Sequence, residues 1–173
     1  LGGETGGDSL HGGSDDDVLE GGGGENSLRG DDGNDHLVGG SYINYLAGGP
    51  GDDRLDGGDG GEADYRDAAG PIDIDLSQGV ATGEGTDELI AIDHVSGSAF
   101  DDRIVGNDAS NGVVAGDGDD LIEGRGENDQ LDGGDGADSI DGGAGLNVRS
   151  VEAFDKLVSP PVRRMFESWG YLL

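Results

Sequence analysis

Apolar residues return at every ninth position along most of the chain: Leu1, Leu10, Leu19, Leu28, Leu37, Leu46 and Leu55, then, after an irregular stretch, Val95, Ile104, Val113, Ile122, Leu131 and Ile140. The six residues between successive x-U-x triplets are rich in glycine and acid. Clear cases are Gly48-Gly49-Pro50-Gly51-Asp52-Asp53 before Arg54-Leu55-Asp56, and Gly133-Gly134-Asp135-Gly136-Ala137-Asp138 before Ser139-Ile140-Asp141. The unit reads G-G-x-G-x-D-x-U-x, with U apolar. A three-residue strand turns its central side chain to one face and the two neighbours to the other, while glycines supply the positive-φ positions that a six-residue reversal needs. The pattern predicts strand, turn, strand, turn, with two units closing one coil of about 18 residues. Such a unit cannot bury anything alone and must stack on its neighbours. The expected chain is all-β: a right-handed parallel β-roll, a thin two-layered β-solenoid.

The beat is lost between Glu62 and His94. Within that stretch Ile72-Asp73-Ile74-Asp75-Leu76 alternates like a half-buried strand, Ser77-Gln78-Gly79 turns, and Val80-Ala81-Thr82 offers a return partner. This predicts a β-rich insert with Tyr65, Leu76, Ile90 and Ile92 in its core. The organisation expected is a first roll block over 1–64, a connector over 65–94, a second block over 95–147 and a separate tail over 148–173. In the tail, Arg149, Lys156, Arg163 and Arg164 concentrate positive charge, Ser150 and Ser159 can cap short helices, and Val162, Phe166, Trp169 and Leu173 fall on one helical face. Three roles are open to it: a cap on the last coil, an export signal, or a docking segment for another domain.

With this repeat the chain resembles the RTX (repeats-in-toxin) family of secreted bacterial proteins, over roughly residues 1 to 147. The resemblance implies calcium binding in the turns, passage through a type I secretion apparatus, and folding outside the cell. It also implies that the tail is the uncleaved export signal in one of the three readings. The chain begins at Leu1 in mid-repeat, so a longer parent with an upstream domain is expected.

Composition gives the repeat its chemistry. With 39 acidic and 9 basic residues the formal charge is -30, which disfavours nucleic acid and anionic membrane surfaces as partners. No apolar run is long enough to span a bilayer. There are no cysteines, so disulfides cannot compensate for a small core. Leu, Ile, Val and Phe make up only about a fifth of the residues, near the boundary of disorder. Coils stacked about 4.8 Å apart would line up the sixth-position carboxylates in columns that repel by roughly 1 kcal/mol or more per close pair. A cation between the turns converts that repulsion into cohesion. Calcium takes oxygen ligands at about 2.3 to 2.6 Å, which matches the coil spacing, whereas magnesium, tighter and octahedral, matches it poorly. An all-oxygen donor set also disfavours zinc and copper. The chain without calcium is expected to be largely unfolded.

Turns 18 residues apart share an edge of the roll, and the two edges differ. One carries Asp17, Asp35 and Asp53, then Asp102, Asp120 and Asp138, which are the strongest candidate ligands. The other carries Asp8, Asn26, Asn44 and Glu62, then Asn111, Asp129 and Asn147; here Asp8 and Asp129 are candidates, and Asn26 and Asn111 weaker ones. Carbonyl oxygens of the fourth-position glycines Gly33, Gly51, Gly118 and Gly136 complete the expected calcium set. Asp15, Tyr42, Phe100, Ala109 and Glu127 replace that glycine elsewhere, and the turn combining Tyr42 with Asn44 is expected to hold no tight ion. If calcium bridges same-edge turns as the family implies, about four Asp-Asp sites and up to five mixed ones result.

No catalytic signature is present: no H-E-x-x-H, G-x-S-x-G or P-loop occurs, and His11, His36 and His94 lie apart in the sequence. The expectation is a noncatalytic calcium-binding module, whatever the parent does. The alternative is a ligand- or polysaccharide-binding face formed by ninth-position residues. The row His11, Glu20, Arg29, Val38, Ala47, Asp56 shows neither an aromatic ladder nor uniform charge to support it.

Overall fold

A computed structural model describes residues 1–150. The helical tail expected from the sequence lies outside the described residues, apart from a final strand over Val148–Ser150. Fifteen strands and no helix make up the described chain, arranged as a β-solenoid of about 8 turns with coils of ~18 residues.

Strands alternate between two facing sheets. One sheet carries β1 (Ser9–Ser14), β3 (Asn26–Asp32), β5 (Asn44–Ala47), the second half of β6 (Arg54–Asp64), the end of β9 (Thr86–Ser96), β11 (Gly112–Asp117), β13 (Gln130–Asp135) and β15 (Val148–Ser150). The other carries β2 (Val18–Glu20), β4 (His36–Val38), the start of β6, the start of β9, β8 (Val80–Thr82), β7 (Asp73–Asp75), β10 (Arg103–Val105), β12 (Leu121–Glu123) and β14 (Ser139–Asp141). The parallel register is set by the repeat: Leu10 faces Leu28, Leu28 faces Leu46, Leu19 faces Leu37 and Leu37 faces Leu55. Because side chains alternate, this register turns the U residues of the stacked coils inward and most of their neighbours out, Ser96 and Val105 being buried exceptions. Leu19, Leu28, Leu37, Leu46, Leu55, Ile104 and Ile122 are fully buried. Leu10 and Ile140, near the ends of the stack, are only partly covered, and Leu1 is exposed.

The irregular stretch continues the stack. β7 and β8 form the antiparallel hairpin the alternation predicts, inserted into one sheet between β9 and β10. β9 pairs with β6 in both sheets, so residues 65–94 join the two repeat blocks without breaking the ladder. Tyr65, Leu76 and Ile92 are buried as expected, but Ile90 lies half out and Leu89 takes the inward place. The reason is phase: Leu89 faces Leu55 across the sheet, which turns Ile90 outward. A second difference concerns Glu62. Asn44 faces Gly61, and Glu62 faces Tyr45, so the slip of one residue removes Glu62 from the turn column where the sequence placed it.

Fourth-position glycine has a steric cause. Gly136 stands at φ 156, and a β-carbon there would run into the Gly118 carbonyl oxygen of the preceding coil. Where Asp15, Tyr42 and Glu127 replace this glycine they keep the left-handed backbone, at φ 81, 68 and 61, at a cost in strain. Phe100 and Ala109 avoid positive φ, and their turns are closed differently.

Candidate metal centre

The sixth-position side chains form two ladders along the edges of the roll. On one edge the backbone N–H of Asp17 donates to Asp35 Oδ1 at 2.8 Å, that of Asp35 to Asp53 Oδ1 at 2.8 Å, and that of Asp53 to Asp87 Oδ1 at 3.1 Å. Beyond the hairpin the N–H groups of Ile72, Asp102 and Asp120 donate to Asp102, Asp120 and Asp138 at 2.8, 2.8 and 3.1 Å. On the other edge Asp8 donates to Asn26, Asn26 to Asn44, Asn111 to Asp129 and Asp129 to Asn147. Oδ1 therefore does the same work in Asp and Asn, which explains why both occur at this position. A fifth-position ladder runs the other way: Asn34 N–H donates to Asp16, Asp52 to Asn34 and Thr86 to Asp52.

What separates Asp from Asn is the second terminal atom. Oδ2 of Asp8, Asp35, Asp53, Asp120, Asp129 and Asp138 is buried with no hydrogen-bond partner among the described residues. Around Asp8, Asp35 and Asp129, and around Asp17, carbonyl oxygens converge on the same point. A β-carbon added to the first-position glycine Gly30 would meet both Asp35 Oδ2 and the Gly48 carbonyl oxygen. At Gly12 it would meet Asp17 Oδ2 at 2.9 Å and the Gly30 oxygen at 2.6 Å. Gly3 and Gly124 show the same convergence with Asp8 and Asp129. A buried, charged oxygen beside carbonyl oxygens and without a donor is costly. Burial accordingly pushes the Asp53 carboxyl up to about 7 and the Asp120 carboxyl up to about 6, against the lowering effect of the backbone N–H each accepts; Asp35 is raised for the same reason.

The sites proposed from sequence divide on this criterion. Asp8, Asp35, Asp53, Asp120, Asp129 and Asp138 carry the unpartnered oxygen, and Asp17 occupies the same ladder position, half exposed. Asp102 is different. Its Oδ1 accepts from Ile72 N–H and from Ser98 Oγ at 2.7 Å, and its Oδ2 from Ser98 N–H at 2.6 Å. Asn111 accepts through Oδ1 from Asn107 N–H at 2.8 Å. Asn26 Oδ1 accepts from the Asp8 N–H at 3.0 Å. Gly33, Gly51, Gly118 and Gly136 occupy the positive-φ corners beside Asp35, Asp53, Asp120 and Asp138.

Sequence reasoning missed Asp87. It is buried, extends the first Asp column by one rung, and accepts on Oδ2 from the Tyr65 hydroxyl at 2.8 Å. The signal was there: Gly83-Glu84-Gly85-Thr86-Asp87-Glu88-Leu89 is a repeat lacking only its first glycine, replaced by Thr82. Its spacing of 34 from Asp53, set by the inserted hairpin, takes it off the regular interval of the repeat.

No group of three or more His, Cys, Asp or Glu comes together among the described residues. A cation at a column would be completed by main-chain carbonyls, the hard oxygen set that suits calcium. The buried, donorless carboxylate oxygens beside those carbonyls fit such an ion. Fold and site together define a parallel β-roll of the calcium-binding kind. A family model for RTX calcium-binding nonapeptide repeats matches in four copies, over residues 2–37, 29–61, 90–122 and 114–148. The chain belongs to that family, whose calcium-binding rolls occur in secreted bacterial proteins. No match to a curated protein was found.

Without calcium, the raised carboxyls give a signed dependence on pH. Between about pH 4, where an unfolded Asp releases its proton, and the folded values of about 7 for Asp53 and about 6 for Asp120, the folded chain holds protons that the unfolded chain has lost. Stability is present below that window and falls as pH rises through it. In calcium-free buffer at high KCl, which screens the diffuse charge, the trimethylamine N-oxide concentration that folds the chain is expected to rise from pH 5 to pH 8. A midpoint flat across pH 6 to 7 contradicts this assignment.

Proposed function

We propose that this chain is a noncatalytic calcium-binding module of a secreted protein, exported unfolded by a type I apparatus and folded by extracellular calcium. The ions sit on the Asp columns, with Asp8, Asp17, Asp35, Asp53, Asp120, Asp129 and Asp138 and the turn carbonyls, including those of Gly33, Gly51, Gly118 and Gly136, as ligands. The observation that carries the reading is the set of six buried Oδ2 atoms that have no donor among the described residues. When bound, calcium supplies positive charge to oxygens that otherwise repel. The chain's own residues hold the coil spacing, through the Oδ1 ladders, and aim the carboxylates inward. Extracellular modules need only weak sites, with dissociation constants of about 10⁻⁴ to 10⁻³ M. The carbohydrate-binding alternative draws less support, because the ninth-position row has neither an aromatic ladder nor uniform charge and its Arg29 is paired with Asp67.

Equilibrium dialysis of the full chain against calcium, with millimolar magnesium throughout, tests the reading. Several calcium ions per chain are expected. Retention of none, or displacement by magnesium at equal concentration, overturns it.

A further inference from the structure

We propose that calcium is confined to the two ends of the roll and that the waist between them is closed by the chain's own hydrogen bonds, with amide and hydroxyl donors standing where ions stand elsewhere. This rests on the calcium reading above and specifies which rungs take part in it.

The Asn turns show the substitution atom by atom. Asn26 Nδ2 donates to the carbonyl of Gly24, the fourth position of its own turn, at 3.0 Å, to the carbonyl of Gly39, the first position of the next coil, at 3.3 Å, and to Asn44 Oδ1 at 2.9 Å. Asn44 Nδ2 repeats the pattern with Tyr42 at 2.8 Å and Gly57 at 3.3 Å. The equivalent oxygens around Asp35 belong to Gly33 and Gly48, and there the facing atom is Oδ2, which has nothing to donate. Three acceptors converging on one point need a positive centre. In the Asn rungs an amide NH₂ supplies it, so an ion has neither charge to neutralise nor room to enter.

Further along the stack, other donors do the same for carboxylates. The Tyr65 hydroxyl satisfies Asp87 Oδ2, and burial together with Asp87 holds that phenol protonated well beyond its ordinary range. Ser98 satisfies both oxygens of Asp102 through its N–H and hydroxyl. The unpartnered carboxylates therefore fall in two groups, Asp8, Asp35 and Asp53 before the insert and Asp120, Asp129 and Asp138 after it. Taken edge by edge, none remains among the described residues between Asp53 and Asp120 on the first edge, whose waist is Asp87 and Asp102, or between Asp8 and Asp129 on the other, whose waist holds Asn26, Asn44 and Asn111.

The test counts ions. Asn44→Asp keeps the Oδ1 that accepts from Asn26 but replaces the amide with a carboxylate oxygen, and Tyr65→Phe removes the hydroxyl that donates to Asp87. Calcium bound per chain at saturation, measured by equilibrium dialysis on the full chain, is expected to rise by one in each variant over wild type. Asn44→Ala, which has no second oxygen, adds none. Unchanged counts in both folded variants overturn the proposal. So does an Asn44→Asp chain that fails to fold in saturating calcium, since an ion should accommodate that carboxylate; Tyr65→Phe then reads the other end of the waist independently. A wild type that binds no calcium defeats the functional reading itself, whereas a calcium-binding wild type with unaltered variants defeats only the closed waist.

Discussion

Calcium added to the calcium-free chain is expected to turn a far-ultraviolet circular dichroism spectrum dominated by coil into one dominated by β-structure, and chelator to reverse the change. Three features push the same way. The core is chiefly one row of aliphatic side chains from each sheet, with Tyr65 and a few insert residues added, so little apolar area offsets the entropy of ordering so many turn residues. The formal charge of -30 opposes compaction. Above all, six carboxylate oxygens are buried with no donor among the described residues, and each costs about 1 to 3 kcal/mol or more if it stays charged and unpartnered. Ion binding removes that cost in the folded state only, so binding and folding free energies are one quantity. A site at a hundred times its dissociation constant adds about 2.7 kcal/mol, and several sites on one ladder add up to more than a small domain's whole stability. Magnesium at the same concentration is expected to leave the coil spectrum in place. The calcium-free spectrum should retain only the small β contribution of the closed waist. A spectrum indifferent to chelator sinks the coupling.

Much of this architecture was legible because a nine-residue period leaves little freedom. Leu28 and Leu46 can both face inward in a parallel stack only if coils advance by two units, and that step also places Asp17 under Asp35 and Asp35 under Asp53. Where the period failed, legibility failed with it. Asp87 escaped because two inserted strands stretch its spacing from Asp53, and Glu62 was misplaced because Gly61 takes its turn position through a bulged pairing. Asp102 shows another limit. Its residue type and phase are those of Asp120, yet Ser98 at the second turn position closes the loop on it, an effect that only the fold of that turn displays. The difference between Asn44 and Asp35 was visible as a letter. Its meaning, a donor facing carbonyls in place of an acceptor, needed the neighbouring coils in place.

Replacing Asp53 with asparagine and with alanine is expected to have effects that cross between calcium and its absence. Asp53 Oδ1 accepts the buried Asp35 N–H, while Oδ2 has no partner and its carboxyl is raised to about 7 by burial. Asp53→Asn preserves the first contact and puts an amide among the carbonyls, as Asn44 already does on the other edge. Without calcium, at pH 8 where the wild-type carboxyl is ionised, this variant should therefore be more stable than wild type by about 1 to 3 kcal/mol, the cost of the unsatisfied charged oxygen. Less trimethylamine N-oxide should then be needed to fold it. With calcium the order reverses, because wild type gains an ion that the amide excludes, worth about 2.7 kcal/mol at a hundredfold excess over the dissociation constant. Asp53→Ala loses on both counts: it strands the Asp35 N–H and removes the ligand, so it should be the least stable of the three in calcium and gain nothing in its absence. The readouts are the calcium concentration at half-folding and the osmolyte midpoint in calcium-free buffer. If Asp53→Asn destabilises by the same amount in both, the second oxygen of the column has no role in cation binding, and the columns are ladders of hydrogen bonds and nothing more.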